Sequence, residues 1–156
     1  MKIHLLQRTQ DVPTPLADVF PFFAAPENLE AITPPSLRMR IITPAPLEMR
    51  AGALFDYIVT THGLPMRWTT LIASYDPPHS FVDVQLKGPY SFWHHTHRFE
   101  DLGPRGTRLI DEVRYIMPFG PLGAMAHALL VQRDLENIFA FRRQFVAQRF
   151  GTCPPE

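Results

Sequence analysis

The sequence predicts an α+β fold: one strand, two short helices, an antiparallel meander of six strands and a long closing helix. Three observations carry that expectation. Apolar residues recur with period two through the middle of the chain; the segments so patterned are joined by short loops rich in turn formers; and residues 121–150 carry apolar positions at helical spacing.

Residues Ile3 to Arg8 alternate loosely and read as the first strand, ended before Pro13. Thr14 then stands as an N-cap with Pro15 at the first helical position, ahead of Leu16, Val19, Phe20 and Phe23 at helical spacing. A second brief helical turn opens at Ala25-Pro26-Glu27-Asn28-Leu29, and Pro34-Pro35 ends it because proline has no amide hydrogen to donate. The meander follows as Leu37–Thr43, Ala53–Thr61, Met66–Tyr75, Ser80–Leu86, Tyr90–Glu100 and Thr107–Met117, making about seven strands with the first. The connections at His62–Pro65, Asp76–Pro78, Lys87–Pro89 and Leu102–Gly106 are short, so each strand is expected to pair with the next.

The closing helix is expected from Pro121 to Phe150, with Gly151 after its last turn. Its apolar stripe is not straight. Leu122, Met125 and Leu129 share one face, whereas Val131, Leu135, Ile138, Phe139, Phe145 and Val146 share another, about half a turn away. A straight helix buries only one of these faces, so a bend or break is expected between His127 and Val131. The second half, rich in phenylalanine, is expected to lie against the sheet.

Bulk properties narrow the partners. A chain of 156 residues suits one domain, expected over residues 1–150 with 151–156 as a flexible tail. Lysine plus arginine and aspartate plus glutamate both number 15, so no charge excess recommends nucleic acid or an anionic membrane as the main partner. Arg133, Arg142, Arg143 and Arg149 on the last helix are interspersed with Asp134 and Glu136 and read as a solvated face. The single cysteine, Cys153, rules out an internal disulfide and makes a reducing cytoplasm the simplest home. No long apolar run suggests a signal peptide or stable membrane insertion. Oligomeric state is not legible.

The element order, together with Phe81-Val-Asp-Val-Gln-Leu-Lys-Gly-Pro-Tyr90, the following Trp93, His95, His97 and Phe99, and the segments Pro26-Glu-Asn-Leu29 and Pro118-Phe-Gly-Pro-Leu122, resembles the START-like, helix-grip superfamily of polyketide cyclase/dehydrase-type and ligand-binding proteins. The resemblance spans about residues 1 to 150. It implies a curved antiparallel sheet wrapped around the long C-terminal helix, with a cavity between them. It implies no particular reaction, because the superfamily includes lipid carriers, receptors, cyclases and co-chaperones.

Side chains on a strand alternate, and the odd-numbered residues of Tyr90–Glu100 and Thr107–Tyr115 form the less charged, more aromatic set, expected to face inward. A five-residue closure at Asp101–Arg105 sets Phe99 opposite Thr107, His95 opposite Asp111 and Trp93 opposite Val113. An odd loop or bulge near Lys87–Tyr90 brings Asp83 inward beside His95, with Trp68, Thr70 and Ile72 beside Gln85, Asp83 and Phe81, and Tyr57 opposite Thr70. The expected lining is Tyr57, Trp68, Thr70, Asp83, Gln85, Trp93, His95, His97, Asp111 and Tyr115, between the sheet and Val131–Phe150. Its apolar walls and few converging polar groups are those of a small-molecule site. The alternative is that the inward polar residues bond only to one another and to buried water.

Three functions remain open on this reading. The first is a carrier or sensor that binds a small hydrophobic ligand such as a lipid, polyketide or aromatic compound. The second is a cyclase or dehydratase in which His95, held by Asp83 and Asp111, moves protons, with its pKa raised by both carboxylates. The third is a protein-interaction module without a ligand-sized cavity. No cofactor is expected. No metal site is expected either, since same-face neighbours such as His95 and His97 diverge by about 7 Å along a strand.

Overall fold

The computed structural model describes residues 1–154, together with the backbone but not the side chains of His127 and Ala128. Pro155 and Glu156, part of the expected tail, lie outside the described residues. The chain runs β1 (His4–Val12), α1 (Leu16–Phe23), 3-10 turns at Pro26–Leu29 and Pro35–Leu37, and β2 (Arg40–Ile41). It continues through β3 (Leu54–Thr61), β4 (Leu64–Asp76), β5 (Ser80–Lys87), β6 (Phe92–Asp101) and β7 (Thr107–Ile116). It closes with α2 (Gly120–Ala126), a π-helical turn (His127–Val131) and α3 (Gln132–Phe150). The seven strands form one antiparallel sheet in the order β1-β7-β6-β5-β4-β3-β2. This is the helix-grip arrangement: β2 to β7 are a meander, and β1 closes the far edge against β7.

Several local expectations shift. The strand expected at Leu37–Thr43 shrinks to Arg40–Ile41, because Pro35–Leu37 is taken into a 3-10 turn whose C-terminal residue, Arg38, is left-handed at φ 44°. Thr14 does not cap α1. Its hydroxyl donates to the carbonyl of Phe150 at 2.7 Å, satisfying one of the carbonyls that α3 leaves unpaired at its end and tying the start of α1 to the end of α3.

The β6–β7 hairpin has the expected five-residue loop, but one residue later, at Leu102–Gly106, so that Asp101 pairs with Thr107. Asp101 extends the ladder and also starts the turn, since its carboxylate accepts the Gly103 amide at 2.8 Å. Gly106 makes the closure possible: its φ is +104°, and a Cβ there would stand 2.0 Å from the Val12 carbonyl. Each partner assignment across this hairpin consequently moves by two residues. His97, not His95, is opposite Asp111; His95 is opposite Val113, and Trp93 is opposite Tyr115. Because the shift is even, every side chain keeps its expected face.

On the other side of β6, Asp83 pairs with His95 as expected. Gln85 replaces the missing ladder pairs near the turn with a side-chain clasp, donating to the Tyr90 carbonyl at 2.8 Å and accepting from its amide at 3.2 Å. Between β4 and β5, two irregularities set Thr70 opposite Gln85 and Ile72 opposite Asp83, two residues from the expected pairing. Tyr57 likewise pairs with Trp68, not Thr70. The irregularity between Ile72 and Ser74 reverses which residues face inward, so Tyr75 joins the core while Ser74 is exposed.

The helical stripe changes register where expected. The π-turn at His127–Val131 inserts a wider turn between α2 and α3, which rotates the second stripe onto the sheet. Leu135, Phe139 and Val146 are buried, each contributing about 1.5–3 kcal/mol by leaving water. Leu122, Met125 and Leu129 of the first stripe stay exposed. Three clusters fill the interior: one joins Phe20, Phe22, Phe23, Phe81, Phe99 and Val146, a second joins Leu6, Trp93, Val113, Tyr115, Leu135 and Phe139, and a smaller third joins Ala53, Phe55 and Ile72.

Candidate functional site

Between these clusters the sheet and α3 leave a cavity of about 420 Å³. Its walls come from α1 and the two 3-10 turns that follow (Phe23, Leu29, Leu37), from the inner face of β3 to β6 (Tyr57, Trp68, Thr70, Trp93), and from α3 (Leu135, Ile138, Phe139). Of the residues expected to line it, Tyr57, Trp68, Thr70, Asp83, Trp93, His95 and His97 do. Gln85, Asp111 and Tyr115 are not among the lining residues. Gln85 is drawn to the Tyr90 backbone, Tyr115 stacks on His4 at 5.2 Å, and Asp111 lies behind the two histidines.

Near Thr70 the wall is aromatic with sparse polarity. The Tyr57 hydroxyl shares a 3.0 Å hydrogen bond with the Thr70 hydroxyl, and burial pushes the Tyr57 phenol well above its ordinary range. Trp68 stacks on Tyr57 at 5.9 Å and meets Trp93 edge-on at 5.3 Å.

Five polar side chains gather against Phe81, Phe23 and Phe139: Asp83 from β5, His95 and His97 from β6, Asp111 from β7 and Arg142 from α3. Asp111 Oδ1 lies 2.9 Å from His95 Nε2, 3.2 Å from His97 Nδ1 and 3.3 Å from Arg142 Nη2. Asp83 Oδ2 lies 2.6 Å from His97 Nε2 and 3.7 Å from His95 Nδ1. A carboxylate only accepts hydrogen bonds, so His97, close to one carboxylate at each ring nitrogen, is held as an imidazolium. Arg142 Nη2 also stands 3.5 Å from His97 Nδ1, a meeting of cations that Asp111 between them offsets. Phe81 stacks on His97 at 4.1 Å, and the two imidazoles lie 3.7 Å apart, centre to centre.

The expectation that His95 lies between Asp83 and Asp111 on three strands holds in space. The expectation for its pKa does not. Burial, followed by the charge of His97, lowers the pKa of His95 against the pull of Asp111 and Asp83. Burial also opposes the charge on His97, but hydrogen bonds to Asp111 and Asp83 outweigh it and raise the pKa. Burial raises the Asp111 carboxyl, yet Arg142 and both histidines hold it well below the usual carboxylate value. The outcome expected by NMR is two buried imidazoles titrating on opposite sides of the ordinary 6.5, His97 above and His95 below. The reverse order would contradict this assignment of charge.

Arg142 is the residue that sequence reading placed on a solvated face, and it is the largest correction. Its side chain is only 11% exposed and lies over the Phe23 ring at 5.3 Å. A signal existed. Leu135, Phe139, Arg142 and Val146 follow the i, i+4, i+7, i+11 spacing of one buried stripe, and an arginine on that stripe implies a buried anion opposite it.

Comparison with known proteins places the chain. The family described as polyketide cyclase / dehydrase and lipid transport matches residues 12–142, and the chain belongs to that family. Among solved structures, it is similar to the ZhuI aromatase/cyclase from Streptomyces sp. R1128, with 15% identity, a TM-score of 0.67, and 95% of this chain and 96% of that one covered. It is also similar to a START superfamily protein from Mycobacterium smegmatis, with 13% identity, a TM-score of 0.69, and 94% and 97% coverage. A norcoclaurine synthase from Thalictrum flavum shares 12% identity at a TM-score of 0.67, with 95% and 97% coverage. At these identities the likeness is one of fold. No curated protein matches the chain. Among the described residues, no helix is long and apolar enough to cross a membrane.

Proposed function

We propose that the chain is a single START-like domain, over residues 1–150, that binds one small hydrophobic ligand in its internal cavity as a carrier or sensor in the cytoplasm. The observation that carries this reading is the cavity of about 420 Å³ with mainly aliphatic and aromatic walls, interrupted by the Asp83–His95–His97–Arg142 cluster and by the His62–Asp134 pair. That volume lies in the usual range of small-molecule sites, about 300–1,000 Å³. Apolar walls supply affinity through desolvation, and the few polar groups select orientation. The family's description and the neighbouring aromatase/cyclase support a lipid, polyketide or aromatic ligand.

A second reading, an acid–base enzyme of the cyclase or dehydratase type, is favoured by one contact, the 2.6 Å pairing of His97 Nε2 with Asp83 Oδ2 on the cavity wall. A histidine so placed is a proton donor in waiting, with neutral His95 as the complementary acceptor. His97, rather than His95 alone, then carries the reaction with Asp83 and Asp111.

Native mass spectrometry of the protein as purified tests the first reading. A discrete added mass at one equivalent, released on denaturation and absent when the cavity is filled by substitution, is expected. A third role, as a protein-interaction module without a ligand, predicts no such mass. Turnover of a supplied polyketide that disappears in a folded His97→Gln variant would favour the enzyme.

A further inference from the structure

We propose that Asp83, His95 and His97 form a binding site for a divalent first-row transition-metal ion, with Asp111 as the outer-shell carboxylate that orients both histidines. The first argument is convergence. One ligand atom from each of the three residues lies within 4.8 Å of the others, and all three side chains line the cavity. Donors bonded to one ion at about 2.0–2.2 Å stand roughly 3 Å apart, so rotamer adjustments of an ångström or two complete the site. Strand geometry alone would spread His95 and His97 by about 7 Å. Packing brings the rings together instead: Phe81 stacks on His97 at 4.1 Å, and Phe139 meets His95 edge-on at 5.8 Å.

The second argument is the direction of the ring nitrogens. Asp111 takes His95 Nε2 and His97 Nδ1, at 2.9 and 3.2 Å, and therefore leaves His95 Nδ1 and His97 Nε2 pointing at Asp83. That is how metal-binding histidines are prepared: the outer nitrogen donates to a carboxylate, and the inner one offers its lone pair, which on His97 becomes free when the ion displaces the Nε2 proton. Arg142, 3.3 Å from Asp111, holds that carboxylate in place from the Nδ1 side of His97, the nitrogen opposite the one that faces Asp83.

The third argument is charge and donor type. Two imidazole nitrogens and one carboxylate oxygen suit zinc, iron(II) or cobalt(II) better than magnesium or calcium, which favour all-oxygen shells. The position between His97 Nε2 and Asp83 is held by a proton at 2.6 Å, and a cation replacing it keeps the carboxylate paired. Three protein ligands leave at least one coordination position directed into the cavity, where an oxygen of the bound compound or a water completes the shell.

The test uses chelator-treated full-length protein and cobalt(II) or zinc(II) alone. Equilibrium dialysis should show one equivalent of zinc, and cobalt should produce visible absorption bands of low-symmetry nitrogen–oxygen coordination. Asp111→Asn should weaken binding by about tenfold to a hundredfold, and Asp83→Asn and His97→Gln by more than that. His79→Ala and His94→Gln, outside the cavity, should bind as the parent does. Absence of stoichiometric binding, or binding unchanged in folded Asp83→Asn and His97→Gln proteins, would overturn the proposal. Should those variants fail to fold, X-ray absorption on the zinc-loaded parent decides: two imidazoles and a carboxylate support the site, and any other ligand set refutes it. Ligand binding to chelator-treated protein reads the proposed carrier role separately from the metal.

Discussion

Replacing Asp111 with alanine is expected to destabilise the fold by about 3–5 kcal/mol, the usual cost of removing one partner from a buried ion network. The side chain is 13% exposed and faces three cationic or cation-ready groups: His95, His97 and Arg142. Without it, the guanidinium and the imidazolium remain enclosed, with Asp83 left to balance both charges. The loss is a large share of the roughly 5–15 kcal/mol by which a domain is stable. Urea denaturation should show a lower midpoint at constant slope. Asp111→Asn keeps an acceptor oxygen and the volume, so it should cost less.

The pH profile carries the same signature. Asp83 and Asp111 have folded pKa values below the ordinary 3.8, so the stability they contribute is complete above that value and is lost as the pH falls through the folded values. His97, with its pKa raised, contributes stability that is complete below 6.5 and fades as the pH rises through its folded value. His95 has the opposite sign: its buried neutral ring loses stability as the pH falls from 6.5 toward its folded value. The two histidines therefore offset each other near neutrality, and the steep limb is acidic. In Asp111→Ala that limb should flatten.

Phe99→Ala is expected to cost about 3–5 kcal/mol for a different reason, lost packing and an unfilled cavity. Phe99 is 3% exposed and centres the aromatic cluster, meeting Phe20 edge-on at 5.2 Å, Phe23 at 5.5 Å and Phe81 at 6.1 Å. These neighbours belong to α1 and β5 while Phe99 itself is on β6, so truncation loosens the joint that closes the cavity beside His97. Phe99→Leu should recover much of the loss. A near-neutral Phe99→Ala would mean that the cluster relaxes freely and is not the rigid floor described here.

How far the sequence foretold this depends on what kind of force set each feature. Alternation fixed the inward faces of β6 and β7 correctly, because a buried face constrains parity strongly. Register within that parity was beyond reach. Asp101 both pairs with Thr107 and caps Gly103, and no pattern of apolar residues distinguishes that loop from one beginning a residue earlier. The change of helical register at 127–131 was legible, as a bend or break, because two stripes on one helix cannot both face one sheet. Arg142 was missed by grouping it with its charged neighbours when its spacing from Leu135 and Phe139 was the stronger signal. The wall from residues 26–49 went unseen for another reason: short 3-10 turns and loops have no periodicity, yet Leu29, Ile32, Leu37 and Met49 all reach the cavity.

The most direct test of ligand binding uses the protein's own chromophores. Trp68 and Trp93 are the only tryptophans, and both line the cavity. Titration with anilinonaphthalene sulfonate should quench their emission with energy transfer to the probe, saturating at one equivalent. Filling the cavity with Val59→Phe and Ile138→Phe, at two lining positions, should abolish the signal in a protein that still folds. Failure of the probe to saturate at one site, or undiminished transfer in the filled variant, would contradict the account.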